Sequence, residues 1–243
     1  MSSLGDRVPA PIRPPLRYVY RHVKRAGRRL LGRSDSWWDD QRPEVLEGFL
    51  QDEAEGVDHP SRQYVRDWLA EHPGLTLLDI PCGAGVEYDG IVRDAVPVAY
   101  TGMDASDRML EVVRRRHPGG DFRKGNIFAI PLPDASVDVV LCRHVLEHLD
   151  DYRPAVTEAV RVARRRVFLV LFRLPTQRER RQIGLDNWDN RIDWNELAAH
   201  LDSLGLPYTR IQIPDNRPVA ADEENVVVEI DVSARPGGAQ PAG

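Results

Sequence analysis

The sequence predicts a doubly wound α/β domain: a mostly parallel seven-stranded sheet, its last strand antiparallel, with helices on both faces. Three observations carry this. Short apolar runs alternate with helix-length amphipathic segments from about residue 60 to 232; the first run enters a nearly side-chain-free turn, "LLDIPCGAG" over 77–85; and the last two runs are joined without a helix. Strands separated by helices require right-handed crossovers and become parallel neighbours, whereas the helix-free joint containing "PDNRP" permits an antiparallel pair.

The elements follow in order. Residues 1–59 form an N-terminal extension, basic over 7–33 and acidic over 35–58. Within its basic part Leu16, Val19, Tyr20, Val23, Leu30 and Leu31 recur at near-helical spacing, so residues 13–33 read either as a leader folding back on the acidic segment or as an interfacial helix at anionic lipid. "SRQYVRDWLAEH" has helical periodicity, and further helices are expected at 85–95, 106–116, 153–164 and 193–204. Strands are expected at 75–80, 98–103, 121–126, 137–142, 167–172, 208–213 and 225–232. This main domain spans 60–232, and residues 233–243, "SARPGGAQPAG", read as a disordered tail.

Composition narrows the function classes. With 42% apolar and 29% charged residues, 243 residues bury one sizeable core. No run approaches the length of a membrane span, no secretory leader is evident, and the chain reads as cytoplasmic with possible peripheral membrane contact. The net charge of -5 gives no general reason to expect nucleic acid. Cys82 and Cys142 end apolar runs and are expected reduced; if the first and fourth strands are neighbours, the thiols should lie close.

In an open doubly wound sheet, ligands dock beyond the carboxyl ends of the strands. The glycine turn is at such an end, where bare backbone admits close approach. Asp104 ends the second strand 19 residues after Gly85, suited to accept both hydroxyls of a ribose, with N-capping of the following helix as its alternative and Ser106 a ready substitute cap. Asn126 has an amide able to read an adenine edge, and Ile127 with Phe128 could wall the ring.

Together "LLDIPCGAG", "GMDAS", "GNIFAIPLPDASVDVVLCRHVLEHLDD" and "EAVRVARRRVFLVLF" resemble the class I S-adenosylmethionine-dependent methyltransferases of the small-molecule group, which have a Rossmann-like fold. The resemblance implies S-adenosyl-L-methionine as cofactor; no metal is expected, since no third ligand accompanies His144 and His148. It implies that Asp79 anchors the turn and faces the methionine end, that Cys82, Gly83 and Gly85 supply close backbone, and that Asp104 accepts the ribose. Ala105 and Met109 would join the adenine wall, Asn126 and Ile127 its edge, and the Arg143 backbone would reach the cofactor amine. Pro81 departs from the glycine usual in the family; it lacks an N–H, and that amide need not be a ligand. NAD enzymes favour a third glycine where this chain has Val86 and Glu87, and Asp79 with Glu87 would repel a diphosphate.

His144, Glu147 and His148 spell the H-x-x-E-H pattern of certain zinc proteases, but no further ligand is apparent. His144 is instead a candidate general base, His148 a weaker one, and a transfer relying on in-line positioning needs none. The polar stretch 173–194, with Arg173, Arg178, Arg180, Arg181, Trp188 and Arg191, reads as a lid suited to an anionic acceptor; Trp37, Trp38 and Tyr64 are other candidates for acceptor contact. The expected activity is methyl transfer to O or N of a small-molecule, glycan- or lipid-linked acceptor. The alternatives are a cofactor-binding accessory module without transferase activity, or an RNA methyltransferase. Oligomeric state is not read from the sequence.

Overall fold

A computed structural model describes residues 37–42, 44–47, 49–50, 56–172, 174–177, 179–182, 188–214 and 225–235. The expected cationic helix at 13–33 lies outside these residues, as do Arg173, Arg178 and most of the tail. Among the described residues, no helix is long and apolar enough to cross a membrane.

Helix α1 (Pro60–Ala70) starts at a proline that needs no N–H partner, with His59 Nδ1 accepting from the Ser61 amide at 3.1 Å. The main sheet then builds outward from β1 (Thr76–Asp79). After it come α2 (Val86–Arg93), β2 (Ala99–Asp104), α3 (Asp107–Arg116), β3 (Phe122–Lys124), β4 (Val137–Arg143), α4 (Arg153–Val162) and β5 (Ala163–Leu171). A separate hairpin, β6 (Glu179–Gln182) and β7 (Trp188–Arg191), precedes α5 (Trp194–Ser203), β8 (Tyr208–Ile213) and β9 (Asn225–Asp231). Sheet order is β3-β2-β1-β4-β5-β9-β8. Only β9 runs against its neighbours, pairing antiparallel with both β5 and β8. The seven-stranded sheet with its antiparallel last strand is the one the sequence predicts.

The central strands are buried on both faces, which is why they read as unbroken apolar runs. In β5, Val167, Leu169 and Leu171 face the cluster under α4 and α5, while Phe168 and Val170 face the one under α1 and α2. Helix α3 covers the β2–β3 edge through Leu110 and Val113, beside Cys82 and Phe122. Truncating a fully buried residue such as Leu69 to alanine would cost about 2–5 kcal/mol.

Two expectations need correction. The stretch after β5, read from the sequence as a polar loop, contains a β-hairpin paired from Glu179↔Arg191 to Gln182↔Trp188. And although β1 and β4 are neighbours, the two free thiols pack into separate clusters, Cys142 under α4 and Cys82 against α3. Cys82 has already turned off the end of β1, its amide bonding Met103 of β2 at 2.8 Å.

Candidate functional site

Because β1, β2, β3 and β4 are parallel, they end at one edge, in Asp79, Asp104, Lys124 and Arg143. The turn after β1 is pinned from three sides: the Ile80 amide donates to Leu141 O, Cys82 to Met103 O and Gly85 to Cys82 O. Gly83 and Gly85 both have positive φ, +50° and +84°, where glycine is the unstrained residue. They differ in what a side chain would meet. A Cβ on Gly85 would sit 2.5 Å from Val113 Cγ2, so this glycine lets α3 close on the turn. A Cβ on Gly83 would meet no atom within 4 Å. The bare turn therefore has one glycine for packing and one bordering open space.

Two buried carboxylates flank that turn. The Asp79 carboxyl is pushed up to about 7 by burial and by the nearby Glu87 charge, partly offset by the Tyr100 hydroxyl, which donates to it at 2.7 Å. Burial also raises Asp104, to about 6, against the pull of the Ser106 and Gly83 amides, which donate to its two oxygens at 2.8 and 3.0 Å. The Ala105 amide pulls the same way, and the carboxylate keeps room for a further donor. Ser106 caps α3, its Oγ accepting from the Met109 amide at 3.1 Å, so Asp104 is not needed as the cap. Asp39, from the turn Trp37–Asp40, accepts from Ser106 Oγ and the Arg108 amide, which brings the N-terminal segment onto this end of the site.

The other predicted residues are placed unevenly. Pro81 and Ala105 are half-buried at the same edge, and Met109 is fully buried. Asn126 is exposed, and its Oδ1 accepts from the Phe128 amide at 2.9 Å. Ile127 packs into the central core with Ile80 and Met103, while Phe128 is 40% exposed. The Arg143 side chain is buried, donating to Ser61 Oγ at 2.8 Å and pairing with Glu87 at 3.4 Å. Glu87 also pairs with Arg62 at 3.1 Å and lies 3.9 Å from Arg66. Glu87 is thus shared among three arginines, while its charge still raises the Asp79 carboxyl. Arg66 on the buried face of α1 was the sequence signal for this cluster, a cation between core residues Val65 and Leu69.

Beyond β4 the H-x-x-E-H segment is a short 3₁₀ turn, Leu146–His148, preceded by His144 at φ +46°. Its two imidazoles have different partners. His148 Nδ1 bonds Trp188 O at 2.7 Å, anchoring the hairpin. Asn190 Nδ2 adds a bond to Leu149 O at 2.8 Å. His144 stacks on Phe172, ring centroids 4.1 Å apart, with Nδ1 3.9 Å from Glu147 Oε1. Burial, with the cations Arg143 and Arg62, lowers the His144 pKa against the pull of Glu147. On the hairpin, Arg180 lies over Trp188, 4.2 Å from the ring centroid, and Arg191 is 5.4 Å from that of Phe172. Tyr64 is corrected as an acceptor contact, since its hydroxyl donates to Glu229 within β9. Trp38 packs against Phe49 with tilted rings, centroids 4.2 Å apart. Tyr100 and Phe172 were missed, because one is an ordinary strand residue and the other ends an apolar run. Among the described residues, no cluster of side chains could hold a metal ion.

The fold, the glycine turn and the paired carboxylates can be set beside known proteins. Residues 78–171 match the family described as the methyltransferase domain. It is 44% identical over 91 residues to a probable S-adenosylmethionine-dependent methyltransferase of Mycolicibacterium smegmatis, covering 37% of this chain and 35% of that one. It is 30% identical over 117 residues to a phthiotriol/phenolphthiotriol dimycocerosates methyltransferase of Mycobacterium tuberculosis, covering 45% and 43%. A solved structure of a Burkholderia thailandensis 1,6-didemethyltoxoflavin N1-methyltransferase, containing S-adenosylhomocysteine, superposes with a TM-score of 0.57 at 15% identity, covering 77% and 86%. The chain spans about half or less of the length of the curated relatives it matches.

Proposed function

We propose that this chain binds S-adenosylmethionine at the β1–β2 edge and transfers its methyl group to O or N of a small-molecule, glycan- or lipid-linked acceptor. The observation carrying this reading is the open space beside Gly83, bordered by two buried carboxylates at adjoining strand ends. A cationic amino-acid nucleoside complements it, because buried carboxylates with raised pKa gain most from an incoming positive charge. Asp104 would accept the ribose hydroxyls through its remaining lone pairs, and Asp79, steadied by Tyr100, would hold the ammonium. The Gly83 and Arg143 backbone would approach the methionine portion, with Pro81, Cys82 and Gly85 shaping the turn. Ala105, Met109, Asn126, Ile127 and Phe128 would surround the adenine. The bound cofactor supplies an electrophilic methyl carbon; the protein supplies alignment and exclusion of water.

The acceptor would approach beside the 144–150 turn and the β6–β7 hairpin, which are bonded to each other. An anionic acceptor would share Arg180 and Arg191 with their present partners Asp150 and Asp189. The relative that acts on a phthiotriol dimycocerosate and the neighbour that methylates a small heterocycle support both lipid-linked and small acceptors. Calorimetry of the full chain with S-adenosylmethionine and S-adenosylhomocysteine, followed by labelled methyl transfer into fractionated extract, tests the proposal. Binding with label in a low-mass or lipid fraction is expected. No binding defeats it; binding with no transfer favours an accessory module, and label in RNA a different acceptor class.

A further inference from the structure

Beside the cofactor edge lies a buried polar pair that alignment of donor and acceptor does not require. Glu147 is 2% exposed, and only one of its oxygens is used: Oε1 accepts from the Phe172 amide at 2.8 Å, while Oε2 has no hydrogen-bond partner. A carboxylate held this way is expensive unless a donor faces it. The neighbouring donor is His144, whose Nδ1 is also buried and without a hydrogen bond, 3.9 Å from Oε1, the oxygen that accepts from Phe172. The ring is fixed by stacking on Phe172 at 4.1 Å and 20°. It is aimed by a left-handed backbone at φ +46°, a conformation uncommon for histidine. Nδ1 is buried, whereas the His144 side chain as a whole is 23% exposed.

We propose that Glu147 is a positioning residue for His144: it holds the proton on Nδ1, so that Nε2 presents its lone pair to the acceptor as the general base of the transfer. This rests on the methyl-transfer reading above and narrows its acceptor class to hydroxyls or amines that must lose a proton. In the step, the acceptor oxygen or nitrogen bonds the methyl carbon, the carbon–sulfur pair leaves with sulfur as a neutral thioether, and the acceptor proton passes to Nε2. Glu147 then faces an imidazolium, and solvent takes the proton between turnovers. The charged groups around the ring are consistent with the cycle. Glu147 favours the imidazolium, Arg143 and Arg62 oppose it, and Arg191 stands beyond Phe172; burial and the arginines keep the resting ring neutral and able to accept a proton.

The test starts with heteronuclear NMR of the imidazole nitrogens in the full chain with S-adenosylhomocysteine, His144 being assigned through His144→Asn, which tolerates positive φ. The neutral ring should carry its proton on Nδ1, the minor form of free histidine. Glu147→Gln keeps an oxygen for the Phe172 amide and should return the proton to Nε2 and lower the ring pKa. It should also cut kcat by about 10²–10⁴-fold, the range of general-base catalysis, with cofactor affinity unchanged. Added imidazole should restore turnover to His144→Gly. A wild-type ring protonated on Nε2, or a Glu147→Gln enzyme with unaltered tautomer and kcat, overturns the dyad while cofactor binding leaves the functional reading standing. Failure to bind S-adenosylhomocysteine at all overturns both.

Discussion

The two halves of the edge are built differently. On the β1–β2 side, site residues lie within one turn of a strand end and are fixed by backbone: Asp104 by two amides, Gly83 and Gly85 by their own dihedrals. On the β4–β5 side, they are held by side chains reaching from distant segments: His148 to Trp188, Asn190 to Leu149, Glu147 to the Phe172 amide. The first arrangement makes a receptacle whose shape follows from the fold. The second makes a surface that the hairpin sequence can alter without disturbing the sheet, as expected where a common donor meets varied acceptors.

Breaking the ion cluster beneath the receptacle should have the largest effect. Glu87→Ala leaves Arg62, Arg66 and Arg143 without their shared acid, at a cost of about 3–5 kcal/mol in denaturant unfolding. The glycine pair sharpens the contrast within the turn. Gly85→Ala, strained by φ and by the Val113 contact, should lose about 2–4 kcal/mol of stability. Gly83→Ala should lose only about 1 kcal/mol yet weaken the methyl donor markedly, its new methyl group occupying the open space. Equal effects on stability and binding at the two positions would erase the distinction. Asp104→Ala should weaken donor binding by about 1–3 kcal/mol in calorimetry through lost charge-assisted hydrogen bonds, with unchanged affinity contradicting the ribose role.

A pH titration probes the same side. The folded pKa of Asp79 is raised, so its contribution to stability is present in full below the ordinary 3.8 and is lost as pH rises toward about 7. Donor binding has the opposite sign: a cation needs the ionised form, so affinity should fall as pH drops below about 7, by up to about tenfold per unit, and Asp79→Asn should flatten the profile. On the acceptor side, Asn190→Ala should destabilise the hairpin by about 1 kcal/mol, raising its hydrogen exchange while leaving donor affinity alone.

The same division explains what could be read from the sequence. The strands from β1 to β4 and all five helices fall within a few residues of their apolar patterns, because burial on one or both faces writes itself into periodicity. Asp79, Gly83, Gly85 and Asp104 were visible because their spacing reports backbone geometry. β5 begins four residues before its expected start, since "ARRR" looks like a solvated helix end; Arg166 is accommodated there by Glu229 on β9. The hairpin "ERRQ" and "WDNR" has no apolar alternation, only Trp188 and Asn190 turned inward, and their anchors lie about 40 residues away in the chain. Glu147 was visible only as part of a zinc pattern. Its pairing with His144 depends on a left-handed residue, and nothing in the side-chain order announces that.

The placement of β9 bears on how the chain is assembled during synthesis. Since β9 lies between β5 and β8, β8 has no neighbour to zip onto until residues 225–231 have emerged from the ribosome. Until then the nascent protein displays the bare hydrogen-bonding edge of β5, with Val167 to Leu171 unshielded. That is the interval in which a chaperone would have most to do, and a translation stall between β8 and β9 would prolong it.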